Sequence, residues 1–245
     1  MRALLKMSWV EGKLFLREPV GAFFTLVFPL MLLFVFGSVF GNDPNEFMGG
    51  LGSVDVSTPA YIGMIIGTVG LMSGPISLAV YRDQGVLRRF RAAPVSPAVV
   101  IGAQVIIYFL MTVLGVALLV TAAYFAYDVR LPEDPLGVAA GFCLALASFL
   151  AAGFALASAL PTARTTQIVA TAVFYPMLFL GGAGVPRQVM PETIRRISEF
   201  LPLTHVNILI SDLWFGKGWQ PVSAAVLAGM LVVGLILSAR IFRWE

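Results

Sequence analysis

Residues 81–97, YRDQGVLRRFRAAPVSP, are the most charged internal segment of the chain and lie between two long hydrophobic runs. The basic side chains of this segment outnumber its single acid, Asp83, and are Arg82, Arg88, Arg89 and Arg91. Cytoplasmic loops of membrane proteins are commonly basic, so charge alone indicates no more than such a loop.

The spacing of residues within this segment predicts a short helix between Arg82 and Arg91. Leu87 and Phe90 lie three residues apart and share one face of it, which leaves an apolar surface free to dock elsewhere. Pro94 and Pro97 end the helix, because proline cannot donate a backbone hydrogen bond and disfavours helix in the residue before it. The segment is therefore predicted to be a short basic helix held at a membrane surface.

The composition of the chain is typical of a membrane protein. Hydrophobic residues make up 59% of the 245 residues and charged residues 12%, whereas a soluble domain carries about 25% charged residues. The mean hydropathy is +0.91. The formal charge of +3 gives little support to a nucleic-acid partner, and the one cysteine, Cys143, excludes an intramolecular disulfide.

Six hydrophobic stretches are long enough to cross the roughly 30 Å of hydrocarbon in a bilayer. They are predicted to be α-helical spans at residues 20–40, 58–80, 98–127, 135–160, 165–184 and 221–239. The predicted fold class is thus an all-α polytopic membrane protein, with a single domain over residues 1–245. A kink is expected at Pro29 in the first span, and residues 41–57 are expected to form an exposed loop.

Two further segments are predicted to lie at or within the membrane without crossing it. Residues 2–18 have a basic stripe and are predicted to form an interfacial helix on an anionic leaflet. Residues 185–220 contain an apolar stretch, 203–215, that is too short to cross and indicates a re-entrant helical hairpin before the last span. The one histidine of the chain, His205, is interpreted as a hydrogen-bonded residue of this hairpin rather than a catalyst.

Two acids, Glu11 and Glu18, lie seven residues apart on the apolar side of the first helix. One interpretation pairs them with Arg88, Arg89 and Arg91. The other lets both carboxylates reach water at the edge of the helix, and the sequence leaves both open.

The distribution of charge predicts the orientation of the chain. The N-terminus, residues 81–97, the turn at 161–164 and the C-terminal tail together carry eleven of the 16 Lys and Arg residues but four of the 13 Asp and Glu residues. By the positive-inside rule these segments face the cytoplasm, so both termini are expected inside. The expected location is the plasma (inner) membrane.

Residues 81–96 resemble the cytoplasmic coupling segment of ABC-2-type transporter permeases, most closely in the drug and antibiotic exporters of the daunorubicin-resistance type. The predicted layout is similar too, with six spans, an N-terminal interfacial helix, a basic segment after the second span and a re-entrant hairpin before the last. The resemblance covers nearly the whole chain. It implies the membrane subunit of an ATP-driven exporter that moves hydrophobic or amphipathic, drug-like or lipid-like molecules out of the cell.

The resemblance also implies partners. Such permeases form a dimer, expected here to be a homodimer, and each half binds a separate nucleotide-binding ATPase from the cytoplasm. The chain itself is then expected to be no enzyme and to bind no cofactor, since ATP and Mg²⁺ belong to the ATPase. The residues implied in ATPase coupling are Glu11, Glu18, Arg82, Leu87, Arg88, Arg89, Phe90 and Arg91.

Apolar or amphipathic cargo requires large, adaptable apolar side chains along its path. In the alternating-access mechanism of the family, we expect a cavity at the dimer interface to be lined by Tyr61, Met64, Thr68, Phe174, Tyr175 and Phe179. Aromatic and Met side chains at helical spacing are also typical of ordinary packing, so both interpretations stand. The 185–220 hairpin is implied as a lid over the exit.

Other classes of function lack the residues that they need. The sequence has no G-x-x-x-x-G-K-[ST] phosphate loop and no H-E-x-x-H or G-x-S-x-G motif. The predicted spans hold no Asp, Glu, Lys or Arg away from their ends, whereas ion-coupled transporters usually need such residues. The remaining alternative is a non-transporting membrane scaffold or sensor subunit, which would need no ATPase partner.

Overall fold

The computed structural model describes residues 2–86 and 97–241. These residues form α-helices with short π- and 3₁₀-helical segments, and no β-strand occurs among them. The all-α prediction is therefore confirmed for this part of the chain. The α-helices are α1 (Arg2–Arg17), α2 (Pro19–Ala22), α3 (Phe28–Phe40), α4 (Ser53–Gly67), α5 (Gly74–Asp83), α6 (Pro97–Tyr127), α7 (Pro135–Ala159), α8 (Ala163–Leu180), α9 (Glu192–Ser198), α10 (Pro202–Trp214) and α11 (Pro221–Ile241).

Prolines mark the beginning of several long helices. Pro97, Pro135 and Pro221 are the first residues of α6, α7 and α11. Proline fits the first helical turn because an N–H at that position has no partner within the helix, and its fixed φ already suits the helix. The predicted spans 98–127, 135–160 and 221–239 consequently agree closely with these three helices.

Two π-helical segments lie within the first two long helices. Phe23–Val27 joins α2 to α3, and Thr68–Ser73 joins α4 to α5. In each case a proline follows closely, Pro29 or Pro75, and a proline ring clashes with the carbonyl four residues earlier in a regular helix. A π turn relieves that clash without ending the helix. At Pro29, where the sequence predicts a kink, the structure has a π segment that ends two residues before the proline.

The second long helix begins five residues before the predicted span 58–80. Its first turn is stabilised by the side-chain oxygen of Asn42, which accepts a hydrogen bond from the Asp55 amide at 2.9 Å. Val54 and Val56 in this turn are buried. The prediction of an exposed loop over 41–57 is therefore wrong for residues 53–57, which are helical.

The continuous helix from Ser53 to Asp83 is the centre of the bundle. Five helices of the described residues are long and apolar enough to cross a membrane, and this one is the most buried of them. It packs against α3, α6, α7, α8 and α10. The other four are Phe23–Phe40, Val99–Tyr127, Pro135–Ala159 and Pro221–Ile241.

The fifth predicted span, 165–184, corresponds to α8, which is not among those five helices. Polar side chains fill its first turn, including Arg164 and Gln167, and lower the hydropathy of a helix of 18 residues. The two ends of this helix are nevertheless held at different parts of the bundle. The amide of Ala163 at its start donates to Asp83, and the carbonyl of Gly181, just past its end, accepts from Asn207. The count of six crossings stays a prediction.

The connecting segments gather at two ends of the bundle. We call one the α1 end. Here the end of α5 is bonded to α1 and also to the turn between α7 and α8. At the other, the α10 end, the Trp214 indole and the Arg130 backbone join α10 to the α6–α7 connection and to Asp55. Three of the segments predicted to share the cytoplasmic side, α1, the end of α5 and the turn at 161–164, are joined at the α1 end. The side of the membrane itself stays a prediction.

Two predicted surface elements exist as helices. The predicted interfacial helix 2–18 corresponds to α1, which packs along α6. The predicted hairpin 185–220 contains α9 and the thirteen-residue α10. The latter is largely buried against α4, α7 and α11. Interfacial and re-entrant positions in a membrane stay predictions for both.

Candidate coupling site and cavities

Arg82, the next-to-last residue of α5, caps the end of α7. Its Nη1 atom donates to the Ala157 carbonyl at 2.8 Å, and its Nη2 atom donates to the Leu160 carbonyl at 2.6 Å. The last carbonyls of a helix have no partner within the helix, and the helix dipole places partial negative charge at that end. The guanidinium therefore binds where α7 most needs a cation and hydrogen-bond donors.

Asp83, the last residue of α5, binds the start of α8. Its carboxylate accepts a hydrogen bond from the Ala163 amide at 2.7 Å. The beginning of a helix has unpaired amides and partial positive charge, which a carboxylate stabilises. We call Arg82 and Asp83, with these three hydrogen bonds, the α5 clasp. The clasp fixes the end of α5 to the whole turn between α7 and α8.

The structure changes the interpretation of Arg82. The sequence predicts it as the first residue of a separate basic helix, but Arg82 belongs to α5. That helix ends in the turn at Gln84 and Gly85, where Gly85 has a φ of +67°. The guanidinium of Arg82 is occupied within the chain, and its contact with an ATPase stays a prediction. The other coupling residues predicted in this segment, Leu87, Arg88, Arg89, Phe90 and Arg91, lie outside the described residues.

Glu11 joins α1 to the same end of α5. Its side chain is only 5% exposed, and both carboxylate oxygens accept from the Tyr81 hydroxyl, at 3.1 and 3.0 Å. Burial raises the pKa of Glu11, and the hydrogen bond from Tyr81 partly opposes that rise. Tyr81 precedes the α5 clasp directly, so α1, α7 and α8 are all held by three consecutive residues, 81–83.

A cavity of about 400 Å³ lies between α1, α5 and α6, and we call it the α1–α5 pocket. Glu11 and Glu18 both line it, and desolvation by the surrounding protein raises the pKa of Glu18 as well. Within residues 2–86 and 97–241, no base lies within ion-pair distance of either carboxylate. The predicted pairing of these acids with Arg88, Arg89 and Arg91 falls outside the described residues and stays a prediction.

A second cavity of about 330 Å³ lies near the α10 end, between α3, the start of α4 and residues 183–189. We call it the α3–α4 cavity. Its walls are mainly apolar, and the few polar groups come from Ser53, Ser57 and Tyr61. A mostly apolar cavity with a few polar groups is the usual form of a site for small organic ligands.

Of the six side chains predicted to line a cargo path, Tyr61 alone borders the α3–α4 cavity. Met64, Thr68 and Phe174 are at most 2% exposed and lie in the packed core. Tyr175 packs against that core, and Phe179 is 57% exposed on the surface of α8. The ordinary-packing interpretation thus describes Met64, Thr68 and Phe174 within a single chain.

The sequence analysis does not identify the side of this cavity that α3 supplies. Residues Leu33, Phe36, Gly37 and Phe40 line it, and they are spaced three, one and three residues apart. Such spacing places residues on one face of a helix. The spacing is visible in the sequence, but nearly all neighbouring residues of this span, apart from Ser38, are also apolar, which hides the periodicity.

The α10 end also holds a polar cavity of about 300 Å³ beside α10. An ion pair between Arg187 and Glu199 at 3.4 Å borders it, and burial lowers the pKa of Arg187. His205 lies in the same region with one ring nitrogen 3.1 Å from the Ser223 hydroxyl and the other 2.8 Å from the Glu199 carbonyl. The predicted hydrogen bonding of His205 agrees with these contacts, and the absence of a catalytic role stays a prediction.

The sequence model of the ABC-2 type transporter family matches residues 2–215, which contain every helix from α1 to α10. The chain belongs to the ABC-2 type transporter family. The predicted relationship to ABC-2 permeases is therefore confirmed. No curated protein matches the chain in sequence.

An ABC-2 permease is the transmembrane component of an ABC transporter and is not itself catalytic. Permeases of this family normally pair with an ATPase subunit. In this ABC-2 permease, the α5 clasp directly precedes the segment that the sequence predicts to couple to that subunit. Among the described residues there is no group of three or more His, Cys, Asp and Glu side chains that could hold a metal ion.

Proposed function

We propose that this ABC-2 permease is the membrane subunit of an ATP-driven exporter of apolar or amphipathic, drug-like or lipid-like molecules. It works as a homodimer in the inner membrane, with both termini in the cytoplasm, and a separate ATPase binds each copy. ATP binding and hydrolysis in that partner drive alternating access at the dimer interface. The cargo class follows the drug-exporter branch that residues 81–96 resemble.

The observation that carries this proposal is the attachment of three elements at residues 81–83. Tyr81 holds α1, Arg82 holds the end of α7, and Asp83 holds the start of α8. The residues that follow, 87–91, are those proposed to contact the ATPase. A displacement of residues 81–83 reaches α1, α7 and α8 through hydrogen bonds, as a mechanically coupled transporter requires.

The α3–α4 cavity supports the choice of cargo. Its apolar walls exclude strongly hydrated solutes, and its position near the α10 end suits release on the side opposite the ATPase. Apolar side chains on neighbouring surfaces stay exposed in the single chain, among them Phe34 and Phe40 of α3 and Phe179 of α8. We propose that a second copy covers part of this surface in the dimer.

The test is co-expression with a candidate ABC ATPase subunit, followed by co-purification and measurement of ATP hydrolysis with and without hydrophobic compounds. We expect the wild-type pair to co-purify, and we expect hydrophobic compounds to stimulate its ATP hydrolysis. The triple substitution Arg88→Glu, Arg89→Glu and Arg91→Glu is expected to abolish both, because it reverses the charge of the contact. The double substitution Arg195→Glu and Arg196→Glu, in α9 at the far end of the bundle, is the matched control and should change neither.

Failure of the wild-type pair to co-purify, or unchanged hydrolysis in the triple variant, would contradict the exporter. The result would then favour a scaffold or sensor subunit without an ATPase. Uptake of a fluorescent apolar compound into inside-out vesicles measures direction separately. ATP-dependent accumulation is expected, because the interior of such a vesicle corresponds to the outside of the cell.

A second prediction concerns the α3–α4 cavity. Ser57 lies on its wall, so Ser57→Phe places a ring in the space that cargo needs. We expect cargo-stimulated ATP hydrolysis to fall about tenfold or more, since loss of only about 1.4 kcal/mol of binding has that effect. Basal hydrolysis should change little.

The control for this substitution is Ser38→Phe. Ser38 is exposed on α3, outside the lining of the cavity, and bonds only its own helix within the described structure. Equal losses in the two variants would mean that a large ring in this region disturbs the protein generally. Stimulation that survives Ser57→Phe would remove the cavity from the cargo path.

A further inference from the structure

Two carboxylates and a buried amide oxygen without a donor line the α1–α5 pocket. Glu11 and Glu18 present carboxylates to it from α1 and its end, and Gln104 lines it from α6. Gln104 is 1% exposed, and its Oε1 atom has no hydrogen-bond partner in the described structure. A buried acceptor without a donor costs about 1–3 kcal/mol. The Oε1 atom of Gln104 therefore requires a donor that the described residues do not supply, and two carboxylates line the same pocket.

The charges around the pocket favour a cationic guest. Arg17 lines the pocket too, but it is exposed and lies beyond ion-pair distance of both acids. The carboxylate of Glu11 receives a hydrogen bond from Tyr81 and no balancing charge within the described chain. A guest with a positive charge and N–H donors would match Glu11, Glu18 and Gln104 together.

The remaining walls indicate that the guest has an apolar part. Phe15, Val80 and Ile107 line the same pocket, and the ring of Phe15 lies edge-on to that of Tyr108 at 6.2 Å. Apolar side chains do not coordinate a metal ion, which requires about six oxygen ligands. A volume of about 400 Å³ lies instead in the range of pockets for small organic ligands, roughly 300–1,000 Å³.

We propose that the α1–α5 pocket binds the ammonium group of an amphipathic organic amine, with Glu11, Glu18 and Gln104 as its ligands. Its apolar part lies against Phe15 and Val80. This assignment rests on the proposed function for its physiological meaning, because an amine in this pocket would be a cargo held at the α1 end. It would occupy the junction of α1 and α5, beside the α5 clasp.

The experiment measures binding of 4-phenylbutylammonium to the purified full-length chain in lipid nanodiscs by isothermal titration calorimetry. The comparison ligands are 4-phenylbutanol, which has no charge, and 4-phenylbutyl-trimethylammonium, which has charge without N–H donors. Empty nanodiscs give the background of partitioning into lipid. We expect the primary ammonium to bind most tightly, the trimethylammonium more weakly, and the alcohol no better than to empty discs.

Glu11→Gln keeps the volume and the acceptor for Tyr81 but removes the charge. It is expected to weaken ammonium binding about 10- to 100-fold, the usual effect of losing a charged hydrogen bond. Glu18→Gln and Gln104→Met should each weaken it less, because Glu18 is at the exposed rim and Gln104 is neutral. The matched control is Glu46→Gln, at the α10 end, which should leave binding unchanged.

Equal binding of alcohol and ammonium, or unchanged affinity in Glu11→Gln, would overturn the assignment. So would absence of ammonium binding together with loss of the ATPase in Glu11→Gln, since the acids would then hold a cation of that partner. The two proposals fail separately. Transport of neutral apolar compounds without ammonium binding would contradict the amine site but support the exporter. Glu11-dependent ammonium binding without any transport would support the amine site but contradict the exporter.

Discussion

Gly153→Ala is expected to prevent the permease from folding to its native packing. A Cβ atom at residue 153 of α7 would overlap the carbonyl oxygen of Gly70, which lies in the π segment Thr68–Ser73. The obstacle is backbone rather than a flexible side chain, so the two helices must separate. Overpacking of this kind typically costs about 1–3 kcal/mol, and more where backbone must move. The expected results are loss of monodisperse protein and a lowered melting temperature.

The matched control is Gly229→Ala in α11, where no packed neighbour among the described residues lies within 4 Å of the added Cβ. Alanine is favoured over glycine in a helix by about 1 kcal/mol, so this variant should be as stable as the wild type or more so. Thermal unfolding followed by size-exclusion chromatography measures both. If Gly153→Ala behaved like Gly229→Ala, the contact between α7 and the central helix would have to be looser than described.

Arg82→Met is expected to separate ATP hydrolysis from transport. The substitution removes both hydrogen bonds from the guanidinium to the end of α7, and a hydrogen bond from a charged group contributes about 1.5–3 kcal/mol. The ATPase should still bind, because the proposed contact residues 87–91 are unchanged. Hydrolysis should then continue while cargo movement and cargo stimulation fall at least about tenfold, since the end of α5 moves without α7.

Arg164→Met is the control for this variant, because Arg164 is an exposed base at the same end of the bundle with no ion pair or hydrogen bond from its side chain in the described structure. Arg82→Lys keeps the charge and should fall between Met and wild type. A double-mutant cycle with Asp83→Asn tests whether the clasp acts as a unit, since independent sites give additive changes. Parallel losses of ATPase binding in Arg82→Met would instead assign this residue to the ATPase contact.

Hydropathy and proline placement were sufficient to predict most of the long helices. Apolar length identified α3, α6, α7 and α11, and prolines at helix starts set several of their boundaries. The beginning of the second helix at Ser53 was missed, because the amide of Asp55 is capped by Asn42 from outside the helix. Such a contact depends on how a loop folds back, and no local pattern reports it.

The candidate site, like the fold, could be predicted from the sequence only in part. Helical periodicity placed Glu11 on the packed side of α1, where the structure has it buried. Arg82 was identified as basic, but its role as a cap of α7 depends on carbonyls 75 and 78 residues away. The predicted cargo residues follow from residue type, and type alone does not separate Tyr61 at a cavity from Phe174 in the core. Cavities arise between helices, so their linings follow from packing rather than from the order of residues.

The two π segments have a consequence for how the first two long helices can move. A π turn contains one residue more than an α turn. If a π segment changed to α geometry, the part of the helix on one side of it would therefore shift by one residue. A shift of one residue rotates a helix by about 100° and advances it by about 1.5 Å. The segments Phe23–Val27 and Thr68–Ser73 lie in contact. Such a change in one segment would therefore alter the packing of the other. Water accessibility of single cysteines along α5, with and without ATP, reads this rotation. Closing either π segment into α geometry would therefore move part of its helix by one step of fixed size.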